Sequence, residues 1–133
     1  MTEALVIRLN AASANNADAT VQWIAVDTTG ARHGNVQSGS LSNAAAFAGG
    51  RKVIVLVPGT DVYLAEPVLP VKSVAKLLQV VPFALEEQMA TDIEDLHFAV
   101  GRRDDRPGTP VAAVSRDQME AWLSALRAAN IHA

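Results

Sequence analysis

Cysteine is absent from the chain, which excludes disulfide staples, thiolate metal sites and thiol nucleophiles, and suits a reducing compartment. A basic surplus is also missing: 11 Lys and Arg stand against 14 Asp and Glu, for a net charge of −3. Nucleic-acid binders concentrate Lys and Arg to meet phosphate, so no nucleic acid is expected as a partner. No stretch approaches the roughly 18 consecutive apolar residues that a membrane-spanning helix needs. Met1 leads into a strand-like run and not into a basic segment with an apolar core, so no secretory signal is read there. Phosphate-cradling glycine loops of the G-x-x-x-x-G-K-[ST] or G-x-G-x-x-G type do not occur. The three histidines, His33, His97 and His132, are scattered without ligand spacing, so neither a metal nor another cofactor is expected. What remains is core material: half of the 133 residues are hydrophobic and 19% are charged. That balance suits one compact domain or two small lobes.

Alternation and turn chemistry place the early elements. ALVIRL (4–9) is a short β-rich run, and the small polar residues 10–19 read as a loop. Residues 20–26 alternate, with Val21, Trp23 and Ala25 on one face. Asp27–Gly30 is turn-forming, and a weaker strand follows over about 31–37, giving an antiparallel meander. Ser40 or Ser42 can cap a short helix over about 42–48 that stops at Gly49-Gly50. KVIVLV (52–57) lacks alternation and is rich in β-branched residues, the pattern of a strand buried on both faces. Pro58-Gly59 suits a type II turn. A strand over about 61–68 has a free edge or an end at Pro67.

The stretch 69–100 dominates the second half. Val74, Leu77, Leu78, Val81, Leu85 and Met89 recur at steps of three or four, the stripe of an amphipathic helix with Ser73 as N-cap. Pro82 removes one backbone donor, so a kink or a break is expected near residue 81. Glu86, Glu87, Asp92, Glu94 and Asp95 then place five acids within ten residues with no base among them. Adjacent Glu86 and Glu87 point about 100° apart on a helix and share a substrate proton poorly. The competing readings are a solvated face and a docking rim beside Phe83, since acids flanking an aromatic anchor steer a basic partner. After them come a return strand at Leu96–Val100, a charged hairpin loop (101–108) and a strand over Val111–Val114. A last helix over about 117–129 follows, capped by Ser115 or Asp117. Its expected inner face is Met119, Trp122, Leu123 and Leu126, with Asn130 at its end. Trp23 and Trp122 read as core. An α/β domain usually continues with a strand after such a point, so the sequence reads as the front part of a longer protein.

The long central run RKVIVLVPGTDVYLAEPVLPVKSVAKLLQVVPFALEEQMATDIEDLHFAVG, the later PVAAVSRDQMEAWLSALRAANI and the early ATVQWIAVD together resemble the cytoplasmic region of type II secretion system protein L. The VPG turn, LP-x-K, VPFALEEQ and DLHFA occur in that family's order and spacing. The resemblance implies a mixed α/β (α+β) fold with a partial actin-like, ribonuclease H-like lobe at residues 1–60. An inserted β-α-β-β-α lobe would occupy residues 61–133. It also implies a cytoplasmic adaptor of a single-pass inner-membrane protein that recruits the secretion ATPase through that enzyme's N-terminal domain and joins other platform components. Phe83, Glu86, Glu87, Asp92, Glu94 and Asp95 are then the candidate partner-binding residues. A more distant similarity, to type IV pilus assembly protein M, carries the rival expectation of an actin-like nucleotide-binding ATPase. Against it, Arg8-Leu9-Asn10 and ASANNADA lack the D-x-G hairpin of nucleotide-binding relatives. A third reading, a homodimer formed through the edge near Pro67 and the long helix, is compatible with the first.

Overall fold

A computed structural model describes residues 3–10, 20–70, 73–102 and 107–133. The chain divides into two compact units, residues 1–58 with 120–133, and residues 59–119.

In the first unit, β1 (Ala4–Arg8), β2 (Val21–Val26), β3 (Arg32–Gly39) and β4 (Lys52–Leu56) form a sheet of order β3-β2-β1-β4. The first three strands are the expected meander. β4 instead runs parallel to β1, with Leu5 opposite Val53 and Ile7 opposite Val55. Pleating therefore sends Leu5, Ile7, Val21, Trp23 and Val53 to one face, and all five are buried. Helix α1 (Leu41–Ala45) has Ser40 as its cap, the hydroxyl accepting from the Asn43 amide. Trp23 and Phe47 meet at a ring separation of 5.8 Å. Arg51 donates from Nε to Glu3 at 2.9 Å and from Nη1 to the Phe47 carbonyl at 2.7 Å, joining the exit of α1 to the start of β1.

Two local devices shape this unit. In the turn after β2, one Asp27 carboxylate oxygen accepts from the Thr29 hydroxyl at 2.6 Å and from the Thr29 and Ala31 amides. The Thr29 hydroxyl foremost, and then the Ala31 amide, hold this carboxyl below its ordinary value. At the end of α3 (Arg116–Ala128), Asn130 takes a positive φ of 59°. Its N–H donates to the Arg127 carbonyl, and the Ile131 N–H donates to that of Leu126. This is a Schellman cap with Leu126 and Ile131, both buried, as its apolar pair.

In the second unit, β5 (Tyr63–Ala65), β6 (Leu96–Val100) and β7 (Val111–Ser115) form an antiparallel sheet of order β5-β7-β6. Helix α2 (Val74–Leu85) covers one face, with Leu77, Val81 and Leu85 buried together with Leu69 and Val111. Thr109 is fully buried with its hydroxyl unpartnered among the described residues, while its N–H reaches the Pro67 carbonyl at 2.9 Å.

Several expectations need correction. β4 is not buried on both faces: Ile54 and Leu56 are 40% and 49% exposed. Pro58-Gly59 does not make a type II turn, because Gly59 keeps a negative-side φ and opens a short 3-10 turn, Gly59–Asp61. β5 stops at Ala65, ahead of Pro67. Of the kink or break expected at Pro82, the break does not occur, since Pro82 lies inside α2; the carbonyl it leaves unpaired four residues back belongs to Leu78, an exposed position. Leu78 and Leu123 leave their expected inner stripes for solvent. Ala125 takes the buried place beside Trp122 and Leu126. The loop over 10–19 and the charged hairpin tip lie largely outside the described residues, as does the side chain of Val74.

Two measurements test these devices. As pH falls through the lowered Asp27 pKa, the stability that this carboxylate contributes above the ordinary aspartate pKa of about 3.9 is lost. NMR titration should therefore show the Ala31 amide signal moving at a pH below the usual aspartate midpoint. Asn130→Gly should keep or slightly raise the urea midpoint, whereas Asn130→Val, a β-branched residue forced to positive φ, should lose about 1–2 kcal/mol.

Candidate functional site

α2 divides its residues between support and display. Leu77, Val81 and Leu85 lie four apart and point into the core of the second unit. Phe83, two residues from both Val81 and Leu85, is turned away from that stripe and is 71% exposed. Burying a phenylalanine contributes about 1.5–3 kcal/mol, so a ring left in water on a well-packed helix is a favourable site for a partner to cover.

The acids are carried by turns and not by the helix itself. α2 ends at Leu85, Glu86–Gln88 form a 3-10 turn, and Ile93–Asp95 form a second one leading into β6. Glu86 and Glu87 follow Phe83 by three and four residues, in the turn that continues directly from the helix exit. Asp92, Glu94 and Asp95 sit at the far end of the same connection, where the Asp95 N–H donates to the Asp92 carbonyl at 2.9 Å. All five acids are exposed, and none is paired with a base among the described residues. The connection is tied back to the sheet by Tyr63, whose hydroxyl donates to Gln88 Oε1 at 2.8 Å. Met89 packs partly buried against the same core. The sequence reading missed the Tyr63 tie; a lone tyrosine in a strand 25 residues away carries no local signal for it. It also missed Leu64 and Val68, which are 74% and 71% exposed.

An apolar depression of about 580 Å³ opens on the second sheet, lined by Leu64, Ala99, Ala112, Gly101 and Pro110 among others. Glu66 also lines it, and among the described residues no second acid, base or nucleophile does. Among the described residues, no group of three or more His, Asp or Glu side chains is placed to hold a metal. No helix of the described residues is long and apolar enough to cross a membrane.

The sequence matches the profile of the family described as type II secretion system (T2SS), protein L, over residues 5–133. The chain belongs to this protein L family. It is 37% identical over 123 residues to the type II secretion system protein L of Dickeya chrysanthemi, covering 90% of this chain and 30% of the relative. Against the protein L of Pectobacterium carotovorum subsp. carotovorum it is 49% identical over 70 residues, 53% of this chain and 16% of the relative. The chain thus spans less than a third of the length of either. Among solved structures it is similar to the cytoplasmic domain of EpsL, an inner membrane component of the type II secretion system of Vibrio cholerae. That likeness has a TM-score of 0.73 and 25% identity, over 98% of this chain and 54% of that one. A chain of the PilM–PilN type IV pilus biogenesis complex shares the fold, with a TM-score of 0.65 and 18% identity, over 96% and 45% of the two chains. The mixed α/β, actin-like fold implied by the protein L motifs is the fold found.

Support and display separate experimentally. Leu85→Ala should destabilise the chain by about 2–5 kcal/mol through a cavity in the second unit's core. Phe83→Ala should leave the denaturation midpoint within about 0.5 kcal/mol of the parent, as an exposed position does. Urea titrations of the two variants provide the comparison.

Proposed function

We propose that this chain is a non-enzymatic docking module of a type II secretion inner-membrane component. It holds the secretion ATPase, through that enzyme's N-terminal domain, at the cytoplasmic face of the bacterial inner membrane and links it to the other platform components. The observation that carries this reading is the exposed Phe83 beside unpaired acids on a well-supported helix exit, in a chain of the protein L family. Phe83 is the apolar anchor; Glu86, Glu87, Asp92, Glu94 and Asp95 supply charge complementarity to a basic partner surface. In this reading residues 1–60 correspond to part of an actin-like lobe and residues 61–133 to an inserted lobe that bears the contact. The membrane anchor belongs to a longer protein L, as the lengths of the relatives suggest.

The rival reading, a nucleotide-binding ATPase of a pilus-type assembly system, draws on the fold likeness to the PilM–PilN complex. Fold likeness alone does not carry an activity across.

Calorimetric titration with the N-terminal domain of the cognate secretion ATPase tests the proposal. Binding is expected, and Glu86→Lys with Glu87→Lys should weaken it, with the largest loss at low salt where charge is least screened. Unchanged affinity in the double variant would remove those acids from the interface, and no heat with the parent chain would overturn the reading. Heat on titration with ATP and magnesium would favour the rival.

A further inference from the structure

The acidic connection of the second unit is held by side chains of unlike kinds. Between buried Leu85 and buried Leu96, Met89 packs partly buried against the core and Ile93 is half-buried. Apolar contacts of this sort keep a segment close but are non-directional. The hydrogen bond from the Tyr63 hydroxyl to Gln88 Oε1, at 2.8 Å, is directional.

The second sheet places Tyr63 for this bond. Tyr63 stands opposite Ala113, which in turn stands opposite Phe98, so the three form one row across β5, β7 and β6. Side chains alternate along a strand, so Tyr63 shares its face with Ala65, which packs on the core under α2. Gln88 closes the 3-10 turn Glu86–Gln88. Three residues make one turn of such a helix, so successive side chains point about 120° apart. With Gln88 turned to Tyr63, Glu86 and Glu87 are left to point about 120° to either side of it, and both are exposed. Winding the turn by one position would carry one of these acids towards Tyr63 instead.

Given the docking role proposed above, we infer that Tyr63 is a positioning residue of that surface. By binding Gln88, its hydroxyl fixes the rotation of the Glu86–Gln88 turn and so the directions in which Glu86 and Glu87 are presented. A partner that pairs with both carboxylates meets them already oriented, and less is lost to ordering on binding. Removing the hydroxyl leaves all five acids in the chain. The field that steers a basic partner is then kept, and only the arrangement of the carboxylates is lost.

Two variants that leave the net charge of −3 unchanged test this. Tyr63→Phe keeps the ring and removes the hydroxyl, and Gln88→Ala removes the acceptor. In calorimetric titration with the N-terminal domain of the cognate secretion ATPase, each should weaken binding about threefold to tenfold, with the salt dependence of the parent. The double variant should lose no more than either single one, because both remove the same bond. NMR relaxation should show lower order parameters for the Glu86 and Glu87 amides in Tyr63→Phe, with Leu77–Leu85 and the urea midpoint unchanged. Parent-like affinity in Tyr63→Phe, losses that add in the double variant, or unchanged order parameters overturn the inference and leave the docking reading standing. No heat with the parent chain overturns the docking reading itself, and the role of Tyr63 with it.

Discussion

The parallel pairing of β1 with β4 is the constraint on which the first unit rests. It joins residues nearly fifty positions apart, from Ala4 opposite Lys52 to Arg8 opposite Leu56. Parallel strands need a crossover between them, and β2, β3 and α1 are that crossover. Once the register is set, pleating decides every side chain in the sheet: Leu5, Ile7 and Val53 go inward, and Val6 and Ile54 go to the other face. A slip of one residue would exchange the two sets. The Arg51–Glu3 pair and the Arg51 bond to Phe47 sit at the start of this ladder, where a slip would first be felt.

The second unit solves a different problem: holding an exposed segment still. The turns that carry the acids contribute no buried side chain of their own. Their placement depends on what flanks them, with Leu85 buried on one side, Leu96 on the other, and Tyr63 and Met89 fastening the middle. Holding the segment from its ends lets charged residues keep their water while their positions stay restricted. Restricting a charged surface in this way lowers the ordering cost that any association with it would carry.

Periodicity made most of this fold legible. The alternation in TVQWIAV, the three-four steps from Leu77 to Leu85 and the asparagine after the last helix each encode a local geometry, and each is found. The errors share a cause. KVIVLV looks buried on both faces because β-branched density is what such strands have, but whether a strand has a neighbour on each side is a property of the sheet and not of the strand. Leu78 and Leu123 fit their helical stripes by spacing, yet helix rotation against the core left them outside, a choice that the facing elements make. The acidic cluster was visible as composition; its mounting on two 3-10 turns and its fastening through Tyr63 were not, because they depend on residues distant in the sequence.

One structural feature bears on how proteins of this kind diversify. The segment from Glu86 to Asp95 spends no side chain of its 3-10 turns on the core, so its charges are decoupled from folding. The five acids can be exchanged at little cost to the scaffold, while Gln88 and Met89 stay fixed by Tyr63 and the core. On the proposed docking role, two secretion machines in one cell would need only different charges on the same bracket to keep their components apart.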